Sequence, residues 1–155
     1  EYTYAPYKVL WKEQTGSMSA VVVGNAEESL INYDNSVLGT DKIIMVDSKV
    51  LYLALESADE AYFVCGIINS PTIRNIIDGY AVETNRGIDV LKYLAIPKYD
   101  NTSQTHKDIA RISEQIHDFC KIELKSLGKI DQSKLSALEG ALDALVIAMF
   151  AWFKR

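Results

Sequence analysis

Two histidines and two cysteines are the side chains with the widest chemistry in this 155-residue sequence. His106 and His117 lie 11 residues apart, which on one helix is about 16 Å at ~1.5 Å per residue, too far to share a metal ion. Cys120 follows His117 by one helical turn, but this lone pair lacks the further ligands of a zinc site. We therefore expect no metal site. The two histidines are expected to lie at the surface or to cap backbone groups, and Cys65 and Cys120 are expected to be buried structural thiols.

Sequence motifs of common enzyme classes are absent. There is no Gly-x-Gly-x-x-Gly or Gly-Lys-Ser/Thr phosphate loop, and no serine nucleophile elbow. The adjacent acids Glu27–Glu28 and Asp59–Glu60 are typical of solvated loops or helix starts. By itself the chain is therefore predicted to be non-catalytic and to bind no cofactor.

The composition is that of an ordinary globular domain, with 48% hydrophobic residues and a net charge of −5. The acidic balance argues against a dedicated nucleic-acid binder unless a neighbouring domain supplies most phosphate contacts. No signal peptide and no run of about 18 apolar residues is present, so we expect no membrane contact and a cytoplasmic location. Because the first residue is Glu1 rather than Met, we expect a piece of a longer protein.

The first half of the chain has the alternation of β-strands, and the second half has the periodicity of helices. A capping box, Ser57 with Glu60, predicts a helix that ends at Asn69, since Pro71 disfavours helix at Ser70 and suits the first turn of a new helix. The region from Gly24 to Thr40 is predicted to be irregular. The predicted strands cover Tyr7–Trp11, Met18–Val23, Lys42–Val46 and Val50–Leu55.

Two long helices are predicted after a loop at Val82–Gly87 and a segment, Asp89–Pro97, that ends extended. The first runs from about Thr105 to Ser126, and Gly128 breaks the chain before the second. Ile109, Ile112, Ile116 and Phe119 form one stripe on the first helix. The second has an a/d heptad seam of Leu135, Leu138, Leu142, Leu145, Met149 and Trp152.

These elements predict an α+β fold, in which a small, mostly antiparallel sheet from the N-terminal half packs with helices and a C-terminal antiparallel helical hairpin follows. Residues 1–104 would form the α+β domain. Residues 105–155 would form the hairpin, packed on that domain as one unit.

Three segments in this order carry a family resemblance: Tyr7–Lys12, Glu60–Pro71, and Ile96–Asp100 followed by a helix with His106. Together they resemble the C-terminal target-recognition region of adenine-specific DNA methyltransferases in single-chain restriction–modification and phage-defence enzymes. That region is related to the TaqI-like specificity domain and is distantly similar to the specificity subunits of type I restriction systems.

The resemblance implies a division of labour within a larger protein. A methyltransferase core, with its S-adenosylmethionine pocket and its Asn/Asp-Pro-Pro-Tyr-type catalytic motif, would lie upstream. This chain would dock double-stranded DNA and read bases while the core flips out an adenine. Its expected partners are duplex DNA and the upstream methyltransferase domain.

Two loops have the side chains that such a role requires. Arg and Lys pair with guanine, Asn and Gln pair with adenine, and Ser or Thr pairs with either base, whereas phosphates attract cations. From their side-chain chemistry, we favour Gln14, Ser17, Thr84, Asn85 and Arg86 for base reading. For phosphate contact we favour Lys12, Lys49 and Lys98.

The alternative function is a non-catalytic protein-interaction module that docks through the helical hairpin. The acidic charge and the heptad seam favour it. The seam ends in an apolar group that would meet another subunit or the upstream domains, formed by Met149, Phe150, Trp152 and Phe153.

A bidentate contact between Arg86 and guanine predicts a loss of specificity on truncation. Arg86→Ala should weaken binding by about 1–3 kcal/mol and relax the preference at one base pair. A methylation-protection assay of the full enzyme measures this preference. An unchanged sequence preference would contradict the assignment.

Overall fold

The computed structural model describes residues 4–24, 48–80, 87, 89–92 and 94–151. The predicted strand Lys42–Val46, the irregular region after Gly24, the loop residues 82–86 and Trp152 lie outside the described residues. Within them the chain has an N-terminal antiparallel sheet followed by helices that end in a C-terminal pair, which confirms the predicted α+β class.

The sheet consists of β1 (Tyr7–Lys12), β2 (Ala20–Gly24) and β3 (Val50–Leu55) in the order β2-β1-β3. Both neighbours run antiparallel to β1, and Val9 is opposite Val22 on one side and Leu53 on the other. The three strand predictions are confirmed, although β2 begins at Ala20 instead of Met18. The Met18 amide donates to a carboxylate of a later helix rather than to a neighbouring strand.

Lys8 on β1 is buried, although charged side chains are usually exposed. Lys8 is 1% exposed, and its Nζ donates to the carbonyl oxygen of Ala5 at 3.1 Å. Burial lowers the pKa of this ammonium group because the charged form loses its hydration.

The helix α1 (Ala58–Asn69) begins at the predicted cap, since the Ser57 hydroxyl accepts the Glu60 amide at 3.2 Å. It buries Ala61, Phe63, Cys65, Ile67 and Ile68. The chain turns at Ser70, and α2 (Pro71–Tyr80) begins at the proline. Both the end of the first helix and the immediate start of the second are confirmed.

The described residues after α2 are mostly helical. A short helix, α3 (Asp89–Lys92), is followed by residues 94–100, which have no regular secondary structure, and then by α4 (Gln104–Leu127) and α5 (Gln132–Ala151). Ser103 caps α4, and Gly128 ends it in a left-handed conformation with φ 65°. The left-handed conformation explains why glycine occupies this position.

The buried face of the hairpin differs from the predicted heptad seam. On α5 the fully buried apolar residues are Leu142, Val146 and Met149, whereas Leu135, Leu138 and Leu145 are half-buried. The heptad pattern omitted Val146 because α5 contacts α1 and α2 as well as α4. Its apolar face is therefore wider than a two-helix seam.

The buried face of α4 also differs from the predicted stripe. Ile109 is fully buried as expected, but Ile112, Ile116 and Phe119 are half-buried. The small residues Ala110 and Ser113 complete the buried face. Ser113 lies close to Gly66 of α1, where an added Cβ would be 3.0 Å from Cβ of Ser113.

In the part of the chain that the structure describes, no helix combines the length and the apolarity needed to cross a bilayer. Nor does this part contain a group of three or more His, Cys, Asp or Glu residues placed to hold a metal ion.

Close packing at Gly66 predicts opposite effects for two glycine substitutions. A Cβ at Gly66 would lie 3.0 Å from Cβ of Ser113 and 3.3 Å from Cδ1 of Leu142, so Gly66→Ala should destabilise the fold by about 1–3 kcal/mol. The matched control is Gly140→Ala on α5, where a Cβ meets nothing within 4 Å.

Gly140→Ala should stabilise the protein by about 0.5–1 kcal/mol, since alanine favours helix. Guanidinium unfolding measures both changes as shifts of the midpoint at constant slope. Equal effects of the two substitutions would mean that the α1–α4–α5 contact is not tightly packed.

Candidate functional site

Four of the predicted DNA-contacting residues lie together at one end of the sheet. Lys12 is the last residue of β1 and is opposite Val50 of β3, so Lys49 is adjacent in space. The Glu13 amide donates to the Lys49 carbonyl at 3.1 Å, which joins the two chain segments. Lys12, Gln14, Ser17 and Lys49 are all exposed, and we refer to them as the polar sheet end.

The loop that carries Gln14 and Ser17 is held by hydrogen bonds on its C-terminal side. The Thr15 hydroxyl donates to the Ser17 carbonyl at 3.0 Å. The Ser17 hydroxyl donates to Oδ2 of Asp78 at 2.6 Å, and the Met18 amide donates to Oδ1 of the same carboxylate at 2.9 Å. Asp78 lies on α2, so this helix fixes the loop from outside the sheet.

The other predicted contact residues are not part of the polar sheet end. Lys98 is exposed but lies beside Ser57 and Asp59, which follow the far end of β3. A six-residue strand separates the two places, a length of roughly 20 Å at ~3.3 Å per residue. Thr84, Asn85 and Arg86 lie outside the described residues.

Charges at the polar sheet end are balanced. The cations Lys12 and Lys49 are accompanied by the carboxylates of Glu13 and Asp78. Among the described residues, this surface therefore lacks the basic excess that is typical of strong phosphate binding, and the exposed amide of Gln14 is better suited to directional hydrogen bonds.

A carboxylate of α5 positions the N-terminus of α2. Asp143 accepts hydrogen bonds from the Ser70 hydroxyl, from the Thr72 amide at 2.9 Å and from the Thr72 hydroxyl at 2.9 Å. Arg74 forms an ion pair with Glu139 at 3.5 Å one turn away. Asp143 thus caps α2 from another helix, and no local sequence signal marks it.

Opposing effects set the pKa of Asp143. Partial burial raises the pKa, but the hydrogen bonds from Ser70 and Thr72 and the nearby Arg74 cation outweigh burial. The pKa of this carboxyl group therefore lies below its usual range.

The outer edge of β2 is closed by side chains. Asn69 accepts from the Ala20 amide at 2.8 Å and donates to the Ala20 carbonyl at 2.7 Å. His117 accepts the Val22 amide at Nε2 over 3.1 Å, while its Nδ1–H donates to the Ser113 carbonyl at 2.8 Å. These bonds occupy backbone groups that would otherwise be free to pair with another strand.

His106 also has a structural role. Its Nδ1 accepts the Asp100 amide at 3.0 Å, and its ring lies 4.5 Å from that of Phe63, centroid to centroid. Both histidines are only partly exposed, and each accepts a hydrogen bond from a backbone amide. Of the two predicted alternatives, capping therefore fits them better than a surface position.

The contact between Cys65 and His117 resembles a nucleophile–base pair but has the wrong chemistry for one. Sγ and Nε2 are 3.8 Å apart, and Nε2 is already occupied by the Val22 amide. Burial raises the pKa of the Cys65 thiol, so the nucleophilic thiolate is disfavoured. The thiol is buried as expected, whereas Cys120 is only half-buried.

A groove of about 660 Å³ lies between β2 and the helical hairpin. Its walls are mainly apolar, with Val21, Ile116, Leu124 and Leu135 among the lining residues. The polar groups of Asn69 and His117 also line it, but both hold β2. The groove therefore combines apolar contact area with charged side chains, among them Asp118, Lys121 and Lys125.

Sequence reasoning missed the three side chains that organise these surfaces: Asn69, Asp78 and Asp143. Their partners lie 49, 60 to 61 and 71 to 73 residues away in sequence. The helical pattern indicates that these positions are on helices, but it does not indicate which loop or strand each side chain meets.

No protein-family model, curated protein or solved structure matches this chain.

The lowered pKa of Asp143 predicts a pH-dependent contribution to stability. A carboxyl group with a lowered folded-state pKa stabilises the fold above its unfolded pKa of about 3.9, and this contribution is lost as pH falls through the folded-state value. Asp143→Asn should cost about 1–3 kcal/mol at pH 7 and progressively less below about pH 4. Denaturant unfolding of both proteins across this pH range measures the difference.

The control is the same substitution in a Ser70→Ala, Thr72→Val background. There the hydroxyl donors are gone, so the pH dependence of the difference should shrink. A stability difference between the wild-type and Asp143→Asn proteins that is constant from pH 7 to pH 3 would contradict the prediction.

Proposed function

We propose that this chain is the DNA sequence-recognition domain of a larger adenine-specific DNA methyltransferase or restriction–modification enzyme. The sequence resemblance supports the proposal, and one structural observation carries it further. Residues selected for DNA contact from two separate chain segments, Lys12 to Ser17 and Lys49, meet at one exposed sheet end. Convergence of this kind is what a contact surface for one ligand requires.

The side chains at the polar sheet end divide naturally into two roles. Gln14 has a donor and an acceptor on one planar group, the arrangement that pairs with N6 and N7 of adenine in the major groove. Lys12 and Lys49 flank it and are suited to the phosphates on either side. The backbone bond between Glu13 and Lys49 keeps the two lysines near each other.

The balanced charge of the polar sheet end limits the affinity with which this domain alone would bind DNA. Each neutralised phosphate contributes to affinity through counterion release, and two or three lysines supply few such contacts. In the proposal, the upstream methyltransferase domain therefore supplies most of the affinity for duplex DNA. This chain supplies discrimination between sequences.

The proposal assigns no catalysis to this chain. S-adenosylmethionine and the methyl transfer belong to the parent protein's upstream domain. The polar side chains inside this chain support that assignment, because Asn69 and His117 hold a strand and Asp143 holds a helix. Cys65, the buried thiol beside His117, lacks an accessible thiolate.

The second candidate function is protein docking through the hairpin, and exposed apolar side chains favour it. Ile122, Leu124 and Leu127, at the end of α4, are 64%, 53% and 62% exposed. The predicted docking group at the other end of the hairpin is less available, since Met149 is buried and Phe150 is half-buried. Trp152 and Phe153 lie outside the described residues.

Salt dependence of duplex binding tests the proposed function. The logarithm of the association constant should fall with the logarithm of salt concentration, and Lys12→Ala and Lys49→Ala should each reduce the slope by about 1. Fluorescence anisotropy with a labelled duplex at several salt concentrations measures these slopes. Lys129→Ala is the matched control, since Lys129 is exposed at the tip of the hairpin.

Equal slopes for wild type, Lys12→Ala and Lys49→Ala would exclude the polar sheet end as the DNA contact. Leu124→Ser with Leu127→Ser should leave duplex binding unchanged. Loss of duplex binding in that double variant, with the lysine variants unaffected, would show that duplex binding depends on the hairpin and not on the polar sheet end, which contradicts the proposed contact.

A further inference from the structure

We infer that Asp78 is a positioning residue for sequence reading, which holds the Lys12–Ser17 loop so that Gln14 faces the DNA. The inference rests on the proposed function and extends it. It also changes the role of Ser17, which becomes part of the support for Gln14 instead of a base-reading residue.

The hydrogen bonds of the loop define the support. On the N-terminal side of Gln14, the Glu13 amide is bonded to the Lys49 carbonyl. On the C-terminal side, Ser17 and Met18 are both bonded to Asp78, at 2.6 and 2.9 Å. Gln14 thus projects from a short segment fixed at both ends, while its own side chain is exposed.

Ser17 is poorly placed to contact DNA by itself. Its hydroxyl proton is donated to a carboxylate, so only its lone pairs are left for a base. The negative charge of Asp78 next to this hydroxyl also repels phosphate. Two donors at hydrogen-bond distance stabilise that charge, which suits a structural role.

Asp78 is itself fixed by the core. The same helix buries Ile73 and Ile77, at 6% and 0% exposure, and Asp143 caps its N-terminus. Ile77 directly precedes Asp78, so the Asp78 carboxylate extends from a helical turn that is anchored in the core by the buried Ile77 side chain. The loop therefore takes its position from the α2 backbone and not from its own sequence.

Fixed geometry matters here because discrimination between bases depends on direction. A side chain amide pairs with adenine through two hydrogen bonds, and both require a defined plane. If the loop moved freely, Gln14 would still meet DNA, but it would lose entropy on each specific contact and discriminate less.

The test is a selection from a pool of duplexes about 30 base pairs long with a randomised centre, carried out with the full wild-type enzyme, because its upstream domain supplies most of the affinity. The selected duplex and a scrambled duplex then serve as probes for each variant. Gln14→Ala and Asp78→Ala should each reduce the preference for the selected duplex about tenfold. The salt slope should remain unchanged, because Lys12 and Lys49 are intact.

A matched control separates positioning from a general loss of stability. Asp100 accepts an amide at 2.8 Å and a hydroxyl at 2.7 Å from Thr102, which is the same pair of donor types. It lies beside Lys98, near the other end of β3. Asp100→Ala should lower stability to a similar extent and leave the preference for the selected duplex intact.

Three further variants test the assignment of Asp78 more closely. Asp78→Asn should retain most of the preference, because its amide can accept the Met18 N–H and donate to Ser17. Ser17→Ala should reduce the preference, and the double variant Ser17→Ala, Asp78→Ala should lose less than the two single effects added, since they remove one shared contact.

Hydrogen exchange tests the support without DNA. In Asp78→Ala the Met18 amide should lose about tenfold or more of its protection, while amides of α4 keep theirs. Unchanged protection at Met18 would overturn the inference. So would a wild-type preference for a selected duplex that Asp78→Ala retains in full. If the full wild-type enzyme selects no duplex, the proposed function fails and the inference fails with it.

Discussion

The sharp corner between α1 and α2 is the constraint on which the other elements depend. Asn69, Ser70 and Pro71 follow one another, and each fixes a different part of the molecule. Asn69 binds the backbone of β2, Ser70 binds Asp143 of α5, and Pro71 starts α2. The sheet, the second helix and the hairpin therefore meet at three consecutive residues. Ser70 is fully buried, so a lost partner at this corner would leave a polar group without water.

Polar side chains inside this fold act mainly on the backbone. Asn69 and His117 cover the edge of β2, His106 holds the start of the turn before α4, and Asp78 and Asp143 hold a loop and a helix end. Both histidines are thus bonded to backbone groups. The polar sheet end gathers exposed side chains from segments that are distant in sequence.

Several local signals in the sequence were sufficient to predict structure. Alternation of β-branched residues placed β1, β2 and β3, Ser57 marked the start of α1, and Pro71 and Gly128 marked the boundaries of helices. These signals succeed because each acts within one helical turn or one strand. The heptad seam succeeded only in part, since α5 packs against several helices and buries Val146 in addition to the a/d positions.

The sequence by itself determined the α+β class, the order of the elements and the residues with suitable chemistry for DNA contact. Tertiary structure decided which of those residues meet: Lys12, Gln14, Ser17 and Lys49 converge, whereas Lys98 lies near the other end of β3. It also decided that Ser17 bonds to Asp78 and that His117 bonds to Val22, over separations of 61 and 95 residues. The physical reason is range: local propensity acts between neighbours in the chain, while such hydrogen bonds exist only after the core has brought their partners together.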